Sequence, residues 1–388
     1  MIIERIELNY FRNYEKLSLF PHEEINIFFG ENGSGKTNLL EAIHYCSLGK
    51  SHRMNQDLNT VMMNQPGASC HLWIQNYFSR NEIEIRLRPD EESVKSVWID
   101  QKRAARLSEM MGVLRCVIFS PEDLELVRGG PAVRRRFLDM MISQISKSYF
   151  IALQQYRVAL NQRNAILKKA RTEGNRPSPV IEDFEKSMSE QARLIYMERN
   201  KYTDLLAELA KEIYQKISGQ KQEDFSMIYH PSVKCNSDEP FNMKKLLEES
   251  REEDLRQGMT TLGPQRDDIS MTLNHRSMKL YASQGQIRTA ALSMKLGQLF
   301  VIRKVTGDSP VLLLDDVMSE LDLNRRMNLL EMMNGIQTFI TCSDEGDLAE
   351  YQNHRTYQVL SEQGKAQMRM IKNGPEKNSA ILKEPVFE

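Results

Sequence analysis

The sequence predicts an α/β fold: a largely parallel sheet carrying a phosphate-binding loop, interrupted by a long, mainly α-helical insertion. Three observations predict it. Gly30-Glu31-Asn32-Gly33-Ser34-Gly35-Lys36-Thr37 fits the pattern G-x-x-x-x-G-K-[ST] without a mismatch. Val311-Leu312-Leu313-Leu314 is an apolar run ending in Asp315-Asp316, as in a buried strand that delivers acids at its C-terminal edge. Between them, from about residue 133 to 217, apolar side chains recur at helical steps of three or four.

The N-terminal elements follow in order. Ile25 to Phe29 is mostly apolar, as a buried strand should be, and Leu39, Leu40 and Ile43 after the loop mark one face of a helix. Strand, glycine loop and helix start are the context in which the loop binds phosphate. Glycines let successive N–H groups turn inward, and the helix N-terminus adds partial positive charge. Lys36 is expected to reach the β- and γ-phosphates of a nucleotide, and Thr37 to ligate Mg²⁺. The sequence is thus expected to hold ATP on Gly30, Glu31, Asn32, Gly33, Ser34, Gly35, Lys36 and Thr37. Ile83, Ile85 and Leu87 alternate with Glu84, Arg86 and Arg88, a strand buried on one face. Val117-Ile118-Phe119 reads as a short strand, and Ser120-Pro121-Glu122-Asp123 as a capped helix start.

The helical stretch divides at Thr172 to Pro179, a breaker of glycine, proline and polar residues. Its first half places Phe137, Met140, Met141, Ile145, Tyr149, Leu153, Tyr156 and Leu160 on one side; its second runs from Ile181 to Ile217. The expected structure is an antiparallel hairpin with arms of roughly 50 Å at 1.5 Å per residue. Beyond it, Phe225 to Tyr229 and Ile269 to Leu273 read as strands. The expected domains are a head at 1–120 and 223–372, a helical arm at 121–222, and a disordered tail at 373–388.

At the C-terminal end, Asp308-Ser309-Pro310 breaks structure before the acidic strand. Asp315 is expected to hold Mg²⁺ through its water shell, and Asp316 to orient or deprotonate an attacking water. Ahead of that strand, Ser283-Gln284-Gly285-Gln286 opens a helix with apolar positions Ile287, Ala291, Leu292, Met294 and Leu296. Ser283 is placed as an N-cap, and Gly285 permits close approach of a phosphate.

Composition sets limits. The 388 residues are 40% hydrophobic and 27% charged, which fits a soluble protein of more than one domain. The net charge of −1 leaves nucleic-acid binding to local patches. Candidates are Lys102, Arg103, Arg106, Arg134, Arg135 and Arg136. Five cysteines without a C-x-x-C pair read as reduced thiols of a cytoplasmic protein. Neither a signal peptide nor a membrane-length apolar run is expected.

Several of these segments together carry a family resemblance. Ser283-Gln284-Gly285-Gln286 resembles the signature of ABC-type ATPases, and Ser319-Glu320-Leu321-Asp322 resembles their D-loop. Within that superfamily the chain resembles the RecF family of bacterial recombination-repair and replication proteins. The supporting segments are Asn9 to Tyr14, the glycine loop, Gly49 to Arg53, Phe119 to Leu124, Gly129 to Pro131, Arg134 to Asp139 and Gly263 to Asp268. They span roughly the first 370 residues. The resemblance implies an ABC-type ATPase head, or P-loop NTPase, with a helical arm. It further implies an ATP-dependent homodimer in which Ser283, Gly285 and Gln286 reach the nucleotide of the second copy. Arg12 would add a cation near the phosphates, and Asp316 and Lys36 would serve hydrolysis. DNA gaps or junctions, RecO and RecR are the implied partners.

The chain departs from the wider ABC pattern in three places. Asp316 stands where transporters usually carry Glu, so slow hydrolysis is expected. Thr341 stands where His is frequent, so a weaker γ-phosphate contact is expected, and Ser120-Pro121 occupies the stretch where a Q-loop glutamine would fall. The rival readings are a transporter-type ATPase subunit and an SMC-like scaffold. A P-loop kinase or GTPase leaves the signature unexplained, and no Asn-Lys-x-Asp element occurs.

Overall fold

The computed structural model describes residues 1–51, 53, 56–77, 79–91, 93–220, 222–233, 242–343 and 354–372. The expected disordered tail at 373–388 lies outside them. The N-terminal part runs β1 (Ile2–Phe11), β2 (Tyr14–Leu19), β3 (Ile25–Phe29), α1 (Lys36–Leu48), β4 (Ala68–Gln75), β5 (Arg80–Leu87), β6 (Lys95–Ile99), β7 (Lys102–Arg103) and β8 (Cys116–Phe119). The helical part follows with α2 (Glu125–Arg128), α3 (Pro131–Ile145), α4 (Lys147–Glu173) and α5 (Ile181–Ser218). Then come β9 (Phe225–His230), α6 (Met243–Glu249), α7 (Arg251–Gln257), β10 (Asp268–Leu273), β11 (Arg276–Ser277), α8 (Met278–Tyr281) and α9 (Gln284–Thr306). The chain closes with β12 (Val311–Asp315), α10 (Leu323–Met332), β13 (Thr338–Cys342), β14 (His354–Glu362) and β15 (Lys365–Lys372).

Two six-stranded sheets sandwich α1. The first, in the order β2-β1-β4-β5-β6-β7, is antiparallel. The second, β15-β14-β3-β13-β12-β8, is parallel except for β15. Of the second sheet, β8, β12 and β13 are buried along their whole length because both faces are covered. On β12, Val311 and Leu313 join the cluster around α1, whereas Leu312 and Leu314 join the cluster built from α3, α4, α5 and α9. Gln337 stitches the sheets together, donating to Ile3 O and His22 O and accepting from Ile3 N–H.

The helical insertion differs from the expected hairpin in two ways. Its first arm is broken: Ser146 leaves the helical conformation (φ −125°, ψ 104°) and caps α4 by accepting from Tyr149 N–H. Lengths of about 40 Å for α4 and 57 Å for α5 follow from their 27 and 38 residues. Its base also shares one hydrophobic core with the parallel sheet, so the expected boundary near residue 222 cuts through packed side chains. Along α5, Gly297 of α9 permits close approach: a Cβ there would lie 2.9 Å from Leu206 Cδ1. Of the short helices that the sequence reading leaves unassigned, α6 covers the hairpin through buried Met243 and Leu247, and α7 is tied to it by Asp254, which accepts from Arg163.

Candidate nucleotide-binding site

The parallel register brings the expected site together. Asp315 pairs with Thr341, and Thr341 with Phe28, so β12, β13 and β3 end on one line with the glycine loop just beyond. Gly30, Gly33 and Gly35 take φ of 149°, 83° and 119°. A Cβ on Gly30 would fall 2.1 Å from Val359 O, so only glycine lets the loop lie against β14.

The loop is built to receive an anion. Gly35 begins α1 with no side-chain cap, and no acidic residue stands in the first turn. The N–H groups of Lys36 and Thr37 precede the first intrahelical bonds, which Asn38 and Leu39 make to Gly35 O, and so are left for a ligand. Ser34 Oγ is buried and has no hydrogen-bond partner among the described residues. Lys36 Nζ donates to Gly30 O (2.6 Å) and Glu31 O (2.9 Å), which folds the ammonium over the loop. Burial lowers the Lys36 pKa from its usual value, opposed by Asp316, Cys342 and Asp315. The β1–β2 turn forms a shelf beneath: Asn13 Nδ2 donates to Ser34 O and Tyr14 OH to Gly35 O.

The metal-directed pair is already in contact, with Thr37 Oγ1 donating to Asp315 Oδ1 at 2.8 Å. Thr341, which stands where His is frequent, turns its hydroxyl to the two acids. It lies within β13, donates to Asp315 Oδ1 (2.8 Å) and accepts from Asp316 N–H (3.0 Å), bracing both acids. Asp316 takes φ 55°, a left-handed conformation that turns the chain as it leaves β12. Ser319, in the D-loop, donates to Asp316 O, and Asp322 caps α10.

Arg12 stands beside the loop, but its guanidinium is held by Glu41 of α1, through bonds of 2.9 and 2.7 Å, and by Asn59 O. The signature opens α9. Ser283 caps α9, its Oγ accepting from Gln286 N–H, while Ser283 N–H donates to Gln286 Oε1. Among the described residues beyond its own helix, a Cβ on Gly285 would meet the Arg325 guanidinium, at 3.6 and 3.7 Å. Where a Q-loop glutamine would fall, Ser120 N–H donates to Asp123, which pairs with the buried Lys295 of α9 at 3.0 Å. The sequence reading singled out neither Lys295 nor the bracing role of Thr341; both are polar residues inside apolar elements, a signal available in the sequence.

The DNA candidates divide. Lys102, Arg103 and Arg106 are exposed; Lys102 and Arg103 form the edge strand β7, and Arg103 and Arg106 line a surface cleft with Lys95. Arg134 is a correction: it is buried and grips Asp268 at 2.7 and 3.0 Å, with Gly129 O behind it. Its place on the inner face of α3 makes it a structural cation, not a contact for a phosphate. Arg135 donates to Asp267 O and is half-buried, whereas Arg136 is exposed.

A phosphate loop and braced acids on a parallel sheet, with a capped signature helix and D-loop beside them, define an ATPase head of the ABC type. Sequence comparison agrees. The model for the RecF/RecN/SMC N-terminal domain matches residues 2–367. The DNA replication and repair protein RecF of Clostridium novyi (strain NT) is 39% identical over 351 residues, which is 90% of this chain and 95% of that protein. RecF of Alkaliphilus oremlandii (strain OhILAs) is 39% identical over 347 residues, 88% of this chain and 93% of its own length. The chain belongs to the RecF family.

Solved structures point the same way. The recombination mediator protein RecF with ATP, in the RecFOR pathway, is 32% identical, with a TM-score of 0.86 over 96% of this chain and 98% of that one. The Smc head domain of Pyrococcus furiosus, at 17% identity and a TM-score of 0.55, shares the fold alone. Family membership sets aside the transporter reading. Among the described residues, no helix is long and apolar enough to cross a membrane.

Proposed function

We propose that the chain is an ATP-operated DNA clamp of replication and recombinational repair that closes as a homodimer on single-strand gaps or junctions. The observation that carries this reading is a separation. The loop, Thr37 and Asp315 gather at one end of the sheet, while among the described residues Ser283 bonds to Gln286 and Ile287 of its own helix start and not to the loop or the acids. A second copy, placed face to face, is what would bring Ser283 and Gly285 to the nucleotide held by Lys36. Each ATP then contributes binding energy to the dimer, and the closed state lasts until hydrolysis.

The residues fit ATP and Mg²⁺. The loop N–H groups, Ser34 Oγ and Lys36 would take the phosphates, and Thr37 with Asp315 would hold the ion. Bound there, Mg²⁺ neutralises phosphate charge. Asp316 orients the attacking water, and its short side chain holds that water less closely than Glu would, so turnover is slow. DNA backbone contacts are assigned to Lys102, Arg103, Arg106 and Arg136, with RecO and RecR as partners implied by the family.

The test is the solution mass of Asp316→Asn with and without Mg-ATP, by light scattering. The mass should double with ATP. Ser283→Arg should bind ATP yet stay monomeric, and Lys36→Met should lose ATP binding. Normal ATP-driven dimerisation by Ser283→Arg would refute the trans role of the signature; tight ATP binding by Lys36→Met would refute the cradle.

A further inference from the structure

The signature segment is tied to the end of the longest helix by a short polar chain. Gln286 Nε2 donates to Glu223 Oε1 at 2.7 Å, and Tyr214 OH, near the end of α5, donates to Glu223 Oε2 at 2.9 Å. Glu223 is 9% exposed, and Tyr214 is fully buried, stacked on Phe225 at 5.0 Å between centroids. Burial raises the Tyr214 pKa, with Glu223 adding to the effect, so the phenol stays a donor.

The chemistry of this chain is directional. A carboxylate only accepts, so both neighbours of Glu223 must donate to it. Gln286 must therefore present its NH₂ to Glu223, which leaves its carbonyl oxygen for Ser283 N–H at 2.9 Å. Ser283 N–H and Glu223 thus select the same amide orientation from its two ends, and without Glu223 the NH₂ end loses its acceptor and the side chain its second anchor. The same turn of α5 also holds the D-loop helix, because Asn328 Nδ2 of α10 donates to Lys216 O at 2.9 Å.

We propose that Glu223 is a positioning residue for the signature. It fixes the Gln286 amide and hence the Ser283 backbone, and it makes the C-terminal turn of α5 the point through which the helical hairpin sets the signature and D-loop together. This inference rests on the trans reading of the signature given above.

The experiment measures, in the Asp316→Asn background at saturating Mg-ATP, the protein concentration at which half the chain is dimeric, and separately the ATP affinity of the monomer. Glu223→Ala should raise the dimer midpoint about tenfold with monomer ATP affinity unchanged, since Glu223 touches no part of the cradle. Gln286→Glu alone sets two carboxylates against each other and should raise the midpoint at least as much. Combining it with Glu223→Gln reverses the bond between the two side chains, leaves Ser283 N–H and Tyr214 OH each with an oxygen acceptor, and should return the midpoint to within about threefold of the parent. The proposal is overturned if Glu223→Ala dimerises like the parent, or if the exchanged pair is no better than Gln286→Glu alone. Ser283→Arg separates the two ideas. If it blocks dimerisation while Glu223→Ala does not, only the positioning role fails; if it dimerises normally, the trans reading fails.

Discussion

Asp316 sits in a left-handed backbone conformation, φ 55°, braced by Thr341 on its N–H and Ser319 on its carbonyl. A non-glycine residue there costs on the order of 1 kcal/mol, and such strain persists where function requires the side chain. Asp316→Gly should therefore raise folding stability by about 0.5–1 kcal/mol in urea melts while ATP turnover collapses. A variant that loses both, or neither, would dissociate Asp316 from that trade. Lys36 gives a pH signature. Its pKa is lowered by burial, so between its folded value and the usual lysine range the unfolded chain binds the extra proton. Protonated Lys36 thus costs stability at neutral pH, and the cost is relieved as pH rises through that interval. ATP affinity should move oppositely, because the ammonium is what meets the phosphates. Titrating urea midpoint and ATP affinity together toward alkaline pH should show the two diverge.

At the scale of elements, the strands β3, β8 and β12 and the glycine loop beside them were legible because they obey local rules. The glycine loop needs no distant partner to be recognised, and the apolar run of β12 announces a strand covered on both faces. The helical insertion was legible only as periodicity. The stop at Ser146 went unread because Ile145 and Tyr149 keep a helical step across it, although Ser146 is itself a capping residue. Buried charge was the other blind spot. Arg163 is 0% exposed between Glu185 and Asp254, tying α4 to α5 and α7; Arg199 is gripped by Asp139 and Asp267, tying α5 to α3 and the loop before β10. In sequence these arginines look like the solvated charge of a helix face, as did Arg134. Only the fold shows which carboxylates meet them. Removing one partner of such a cluster leaves unmatched buried charge, so Arg163→Met should cost about 3–5 kcal/mol, read from the urea midpoint. A cost under 1 kcal/mol would mean water reaches Glu185 and Asp254 and the hairpin is looser than its packing indicates.

At the scale of the whole molecule, DNA binding has to be made by assembly. The net charge is −1, so one copy offers DNA no general attraction, only patches such as β7 with Arg106. Lys102 and Arg103 on a two-residue edge strand also discourage strand addition there, so their charge has a structural use besides any contact. The two uses separate by salt dependence. A true phosphate contact releases counterions, and each one lost should lower the slope of log affinity against log salt by about 0.9 on duplex DNA. If closure doubles the patch, the ATP-bound dimer should show a steeper slope than the ATP-free protein on the same gapped duplex. Arg103→Ala with Arg106→Ala should then flatten the dimer slope by up to about 3.6, two contacts in each of two copies, while leaving ATP-driven dimerisation intact. An unchanged slope would assign both arginines to the sheet edge alone and move the DNA surface to the face carrying Arg136.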